Sequence, residues 1–343
     1  MDRPLSDGRK QISLALQGGG AHGAFTWGVL DEILKDGRIA IEAISGTSAG
    51  AVNGALVVDG WSEGGAEGAR KELDSFWRAI SADSLWSSGH RHLLRRFLSG
   101  ASPASSLATA WFDWISTFAS PYDFNPINLN PMRDILNRQI DFARMQKEDG
   151  VKLFISATNV RTGKIKVFER KDITADHIMA SACLPMMFQA VEIGGEAYWD
   201  GGYMGNPALF PLFYSTAADD VLLVQLNPIM RKEIPRTARE IQDRMNEITF
   251  NATLLREFRA VEFVQRLVDQ GVLPRDRYKR VRMHRIDADK ALKDFGASTK
   301  MDSRYDFLLT LKRAGQRAAR HWLAKHFDDL GVRETLILRD EIA

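Results

Sequence analysis

Ser48 stands in Gly46-Thr47-Ser48-Ala49-Gly50, a match to G-x-S-x-G. The apolar, β-branched run Ile41–Ser45 precedes it and the small-residue stretch Ala49–Val58 follows, so the serine falls on a turn between a strand and a helix. On such a turn Oγ stands clear of the backbone. The N-terminus of the following helix aims N–H groups and a positive dipole end at the same spot. Gly46 and Gly50 permit the strained turn and leave room for a substrate. These residue types suit a hydroxyl nucleophile.

A second block lies upstream. Ile12–Leu16 reads as a buried strand running into Gln17-Gly18-Gly19-Gly20-Ala21-His22-Gly23, after which Phe25, Val29, Ile33 and Leu34 recur at helical spacing until Gly37. A glycine-rich strand-to-helix loop gathers several backbone N–H groups in one concavity, which suits a negative oxygen. Two uses compete. Gly18, Gly20 and Gly23 fit the dinucleotide-binding spacing, with Glu42 near the distance of a ribose-binding acid. The strand carrying Glu42, however, runs straight into the serine turn, where that carboxylate would compete for the same space. An oxyanion hole beside a nucleophile uses both blocks together.

A third block is Asp200-Gly201-Gly202, at the end of Glu196–Trp199, which pairs as a hairpin with Ala190–Ile193 across Gly194-Gly195. Alone it is an ordinary Asp-Gly turn. The order of glycine loop, serine turn and Asp-Gly-Gly gives it more meaning.

That order resembles the patatin-like phospholipase family, over Ile12 to about Asn227. Ala180-Ser181-Ala182-Cys183-Leu184-Pro185 through Phe188 is similar to the family segment before the aspartate hairpin. The resemblance implies that Ser48 is the nucleophile and Asp200 the general base. It also implies an oxyanion hole formed by Gly18, Gly19, Gly20, Ala21 and His22 together with the N–H of Ala49. Gly23, Gly46, Gly50, Gly201 and Gly202 support the motifs. One departure stands out: the family usually has Arg or Lys where this chain has His22, and a neutral imidazole supplies no fixed charge.

The implied activity is hydrolysis of an acyl ester of a lipid, in the manner of a phospholipase A or lysophospholipase, with no metal and no organic cofactor. An esterase, or a hydrolase of neutral lipid or polyester, uses the same dyad. An α/β-hydrolase triad of Ser48, Asp200 and His284 is a rival, although only one strand precedes the strand of the serine turn. A non-catalytic lipid-binding regulator on the same scaffold is the alternative outside enzymology, with His22 as its foothold.

Composition fits an α/β core. The chain has 343 residues, 45% of them hydrophobic, enough to bury one large core plus an appendage. Lys and Arg number 46 against 44 Asp and Glu, a balance that argues against nucleic acid as a partner. The single cysteine, Cys183, excludes an intrachain disulfide and reads as a small core residue. The tail 1–10 is polar, and no uninterrupted apolar run reaches about 18 residues. The expected setting is cytoplasmic, with contact to lipid only at the surface of a membrane.

Strands at Val151–Ala157, Lys164–Phe168 and Asp220–Leu226, alternating with helices, predict a three-layer α/β/α sandwich with a mainly parallel central sheet and antiparallel additions near the hairpins. Residues 11–230 form the predicted catalytic domain, with a helical insertion over about 60–131. In that insertion Leu107, Trp111, Trp114, Ile115 and Phe118 share a helical face, behind the basic cluster around His90 and His92. It reads either as a cover on the core or as a lid that meets lipid.

Residues 231–343 read as a helical extension on the core. Pro235 opens a long helix whose seam is Ile234, Ala238, Ile241, Met245, Ile248, Ala252 and Leu255. The seam packs on the protein's own core or, alternatively, forms a homo-oligomer through residues 234–268. A last helix begins at a capping box on Ser303, turns Leu308, Leu311, Ala318 and Trp322 inward, and carries a basic outer face from Lys312 to Lys325.

Overall fold

Leu153, Ile44, Leu14, Leu222 and His284 lie in one row across five parallel strands. These strands are β1 (Lys10–Leu16), β2 (Ile39–Gly46), β3 (Lys152–Asn159), β7 (Asp220–Gln225) and β8 (Arg282–Asp287), in the order β3-β2-β1-β7-β8. Three antiparallel strands, β4 (Ile165–Glu169), β5 (Val191–Ile193) and β6 (Glu196–Asp200), complete an eight-stranded sheet on the β3 side. The computed structural model describes residues 8–82, 120–147, 149–293 and 295–343.

One detail of the sheet positions the site. Ile155 of β3 pairs with both Gly46 of β2 and Phe168 of β4, so those two strands occupy opposite edges of β3. Two residues on, Ala157 pairs with Lys166 of β4 and with Asp200 of β6. Strand β6 therefore takes over the edge that β2 leaves at Gly46. The end of β6 is delivered to the turn on which Ser48 sits.

Both faces of the sheet are covered, which is why its central strands are apolar almost throughout. On one face α1 (Gly23–Asp36), α2 (Ala49–Ala82) and a late helix pack on Ile12, Leu14, Leu16, Leu222 and Val224. On the other, Leu254, Phe258 and Val261 of a long helix pack on Ala15, Ala43, Val221 and Leu223. Helix α2 breaks at Gly64-Gly65, where Gly65 has φ 61°, and Phe76, Trp77 and Ile80 beyond the break remain buried. Helix α3 (Pro131–Gln139) packs on α2 and on α4 (Ala175–Ser181), and α4 packs on β3. Residues 83–119, with Trp86, His90, His92, Trp111, Trp114 and Phe118, lie outside the described residues.

The C-terminal part adds β8 to the same sheet as well as helices α5 (Ala238–Asp269) and α6 (Tyr305–His326). Several local expectations need correction. Helix α5 starts at Thr237, whose hydroxyl accepts from Glu240 N at 3.2 Å in a capping box with Glu240, and Pro235 lies before it. The seam from Ile234 to Leu255 is not the buried one. Ile234, Ile241, Met245 and Ile248 are exposed, because the sheet takes a second stripe, Leu254, Phe258, Val261 and Val268, on the later turns. Helix α6 starts after Arg304 with no side-chain cap, and Ser303 is buried in the cavity lining. Its basic face is partly committed: Lys312 Nζ lies 3.2 Å from Asp74 and 4.0 Å from the centre of the Trp27 ring, and Arg320 pairs with Glu32 at 2.9 Å.

Candidate active site

Ser48 has φ 54°, a left-handed conformation unusual for a residue with a side chain. The turn that imposes it is fixed from several sides. Thr47 Oγ1 donates to the Gly205 carbonyl at 2.6 Å, Ser48 N donates to Ser181 Oγ at 2.9 Å, and Gly50 N closes the turn on Thr47 O at 2.8 Å. A Cβ on Gly46 or Gly50 would strike backbone, at Gly50 and Leu16 respectively, so both positions require glycine for space. Strain held in this way keeps Oγ at the start of α2, beside the N–H of Ala49.

Asp200 is fully buried and lines the same cavity as Ser48. Its Oδ1 also accepts from Gly202 N at 2.7 Å, and its own N donates to the Cys183 carbonyl at 2.8 Å. Burial pushes the Asp200 carboxyl up to about 7, opposed by the Gly202 N–H, the Ser48 hydroxyl and the charge of Lys300. A carboxylate tuned to that range can take and return a proton near neutral pH. Cys183 is buried, and burial together with the Asp200 charge pushes its thiol up to about 12.

The glycine loop lies on the other side of Ser48. Gly18 N donates to Asn206 Oδ1 at 2.7 Å, and Gly18 O accepts from Asn227 Nδ2 at 3.0 Å. His22 N is spent on Gly19 O at 3.2 Å. Of the loop residues expected to donate to an oxyanion, Gly18 and His22 thus have their N–H groups occupied. Gly19, Gly20 and Ala21 line the cavity beside Ser48 and Ala49. The His22 ring points away: it is buried, its Nε2 lies 2.7 Å from Thr299 Oγ1, and it does not line the cavity. Burial, with the nearby Lys300 charge, brings its imidazole down to about 3, so it is neutral.

The cavity has a volume of about 520 Å³. Its walls are largely apolar, with Phe76, Trp77, Ile80, Met132, Met187 and Leu308, and it ends on Ser48 and Asp200. Gln242, Asn246 and Lys300 supply polar groups along it.

The rival assignments separate in space. His284 is buried on β8, with Nε2 2.9 Å from Asp220 Oδ1 and Nδ1 3.0 Å from Thr335 Oγ1, and is absent from the cavity. Glu42 accepts from the N–H groups of Ala217 and Ala218 at 2.8 and 2.7 Å, an anchoring role away from the glycine loop. Ser181, Asn206, Asn227 and Lys300 were not marked by any motif of their own. Only Ser181 falls within a stretch that the sequence singles out.

A strained serine on a strand-to-helix turn thus shares one cavity with a buried carboxylate and a glycine loop, on a three-layer α/β frame. The family model for patatin-like phospholipase matches residues 14–213, a span that contains all three blocks. The chain belongs to the patatin-like phospholipase family, a family of lipid acyl hydrolases. Among solved structures, VipD from Legionella pneumophila is similar with 15% identity and TM-score 0.40, over 91% of this chain and 70% of that one. ExoU–SpcU from the type III secretion system of Pseudomonas aeruginosa is similar with 17% identity and TM-score 0.32, over 71% and 51%. No curated protein sequence matches the chain.

Proposed function

We propose that this chain is a serine acyl-ester hydrolase that cleaves acyl chains from lipids with a Ser48–Asp200 dyad. The observation that carries the reading is that a strained Ser48 at the start of a helix and a fully buried Asp200 line the same apolar cavity. Asp200 takes the Ser48 proton as Oγ attacks the acyl carbonyl. The oxyanion lies against the loop N–H groups of Gly19 and Gly20 and that of Ala49. The leaving alcohol takes the proton from Asp200, and a water activated by Asp200 then attacks the acyl-enzyme and frees the fatty acid.

The acyl chain fits the apolar part of the cavity, where Met132, Met186 and Met187 can adjust to its shape. A single charge-bearing wall does not choose between phospholipid, neutral lipid and polyester. No helix among the described residues is long and apolar enough to cross a membrane. A lipid surface would meet the exposed Ile241, Met245 and Ile248 of α5, beside Gln242 and Asn246 of the cavity lining.

Labelling with a fluorophosphonate, followed by hydrolysis of a panel of acyl esters, tests the reading. Wild type is labelled at Ser48 and hydrolyses esters. Ser48→Ala and Asp200→Asn each lose about 10³-fold or more in turnover, and the double variant is little worse because the two groups act as a unit. An unlabelled, inactive wild type points instead to a lipid-binding protein.

A further inference from the structure

Asp200 must be ionised inside a largely apolar cavity, and the developing oxyanion adds a second negative charge there. Among the described residues lining this cavity, Lys300 is the one cation. It comes from the short segment before α6, far from the three blocks in sequence. Its backbone carbonyl packs so closely on Gly20, which has φ 58°, that a Cβ at Gly20 would strike it. Its Nζ donates to Asn227 Oδ1 at 2.7 Å, and Asn227 Nδ2 donates to Gly18 O at 3.0 Å. Gln17 Oε1 holds Asn227 in turn, accepting from its backbone N at 2.8 Å. One residue thus backs the glycine loop and lines the cavity that holds the base.

We propose that Lys300 is a positioning residue of this site: its ammonium holds Asp200 in the carboxylate form and, through Asn227, fixes the glycine loop against Ser48. The proposal rests on the dyad reading above. It also accounts for the tolerance of a neutral His22 in the loop, since the charge arrives from the C-terminal segment. The groups facing the ammonium are Asp200 on β6, Glu247 and Asp243 on α5, and Arg231 before α5, with the neutral His22 behind. Asp200 faces, besides Lys300, the Cys183 thiol and the Tyr203 phenol, both of which burial and then the Asp200 charge push upward and leave protonated. The Lys300 charge adds to the Gly202 N–H and the Ser48 hydroxyl in favouring the ionised base, while burial pulls the Lys300 ammonium below the usual lysine range.

The test is the pH profile of kcat/KM on a soluble short-chain ester for wild type, Lys300→Gln, Lys300→Met and Lys300→Arg. Glutamine keeps a donor for Asn227 and removes only the charge. The acid limb of Lys300→Gln should move up by about one pH unit, with kcat lower by roughly tenfold or more and KM little changed. Lys300→Arg should bring the limb back toward wild type. A neutral variant that folds, by circular dichroism and melting, and loses activity equally at every pH overturns the proposal, as does one with the wild-type profile. Asn227→Ala serves as a second variant, which keeps the charge and cuts the tie to Gly18. It should lower kcat and the rate of fluorophosphonate labelling, and unchanged values would overturn the positioning role even if no neutral Lys300 variant folds. Ser48→Ala, run alongside, separates the two levels. If it stays active the dyad reading fails, and if it is dead while Lys300→Gln is normal only this proposal fails.

Discussion

His22 Nε2 lies 2.7 Å from Thr299 Oγ1, so the one loop residue that departs from the family pattern faces the C-terminal segment and not the nucleophile. Its Nδ1 is buried without a hydrogen-bond partner. The slot is built for a neutral ring. Taken with the packing of Gly20 on the Lys300 carbonyl, this makes residues 299–300 the back wall of the glycine loop.

Substitutions at His22 should follow that geometry. His22→Asn is expected to stay within about tenfold of wild type, because the loop donors keep their places. His22→Arg, although arginine is common here in the family, would bury a second cation next to Lys300 in a slot where no carboxylate among the described residues acts on the ring. We expect it to lose about 10² or more in kcat and to melt earlier. Turnover of a soluble ester and thermal melting of both variants check this, and a fully active His22→Arg would contradict the buried-slot account.

The three chemical blocks were legible because each is a short run with a mechanical reason for its residue types. Glycines stand where Cβ atoms would meet backbone, and a serine stands between a strand and a helix. The sheet was legible for the same kind of reason, since β1, β2, β3 and β7 are apolar runs that only a doubly covered sheet would bury. What the sequence hid is carried by long-range contacts. Nothing around Asn206, Asn227 or Lys300 distinguishes them from ordinary loop residues, and their roles appear only when residues about 190 to 280 positions away fold against Gly18 and Gly20. Helix α5 misled because it carries two apolar stripes, and only tertiary packing decides which one is buried.

The pH response follows from Asp200. The dyad needs the carboxylate, so kcat/KM should rise through pH about 7, where burial has placed the group, and reach a plateau above it. Stability should move the other way. The folded-state value lies above that of an ordinary aspartate, so the native protein holds a proton that the unfolded chain has released, and stability is lost as pH rises from about 4 through about 7. Glu257, also pushed up to about 7 by burial, adds to the same slope. Asp200→Asn isolates the dyad's share. Relative to wild type it should gain more in melting temperature at pH 8 than at pH 5, and an equal change at both values would contradict the raised carboxyl.

Gly315 of α6 packs against the Phe25 carbonyl of α1, and Gly28 of α1 against the Lys312 carbonyl of α6. The two helices cross backbone to backbone at this point, which anchors α6 and the segment carrying Thr299 and Lys300 before it. Gly315→Ala places a methyl where backbone stands. The expected cost is about 1–3 kcal/mol, a typical overpacking penalty, even though alanine is the better helix former. Denaturant unfolding measures it. A neutral or stabilising result would mean that the crossing can open by a few tenths of an ångström at no cost.

The last prediction concerns the exposed face of α5. Ile241, Met245 and Ile248 are each about half exposed, while Gln242 and Asn246 on the same two turns line the cavity. Apolar residues thus border the place where a lipid would enter. Inserted into an acyl layer, each would gain on the order of 1 kcal/mol from area removed from water, and together they change vesicle affinity by tens-fold or more. Replacing all three with Ser should therefore cut activity on phospholipid vesicles by roughly tenfold or more while leaving kcat/KM on a soluble short-chain ester within about twofold. Co-sedimentation with vesicles of the same composition separates loss of binding from loss of catalysis. Equal losses on both substrates would assign these residues to folding. Wild type that elutes as a dimer in gel filtration, with the triple variant shifted to monomer, would instead assign the face to a second copy of the chain, and either result would reject the lipid-docking role.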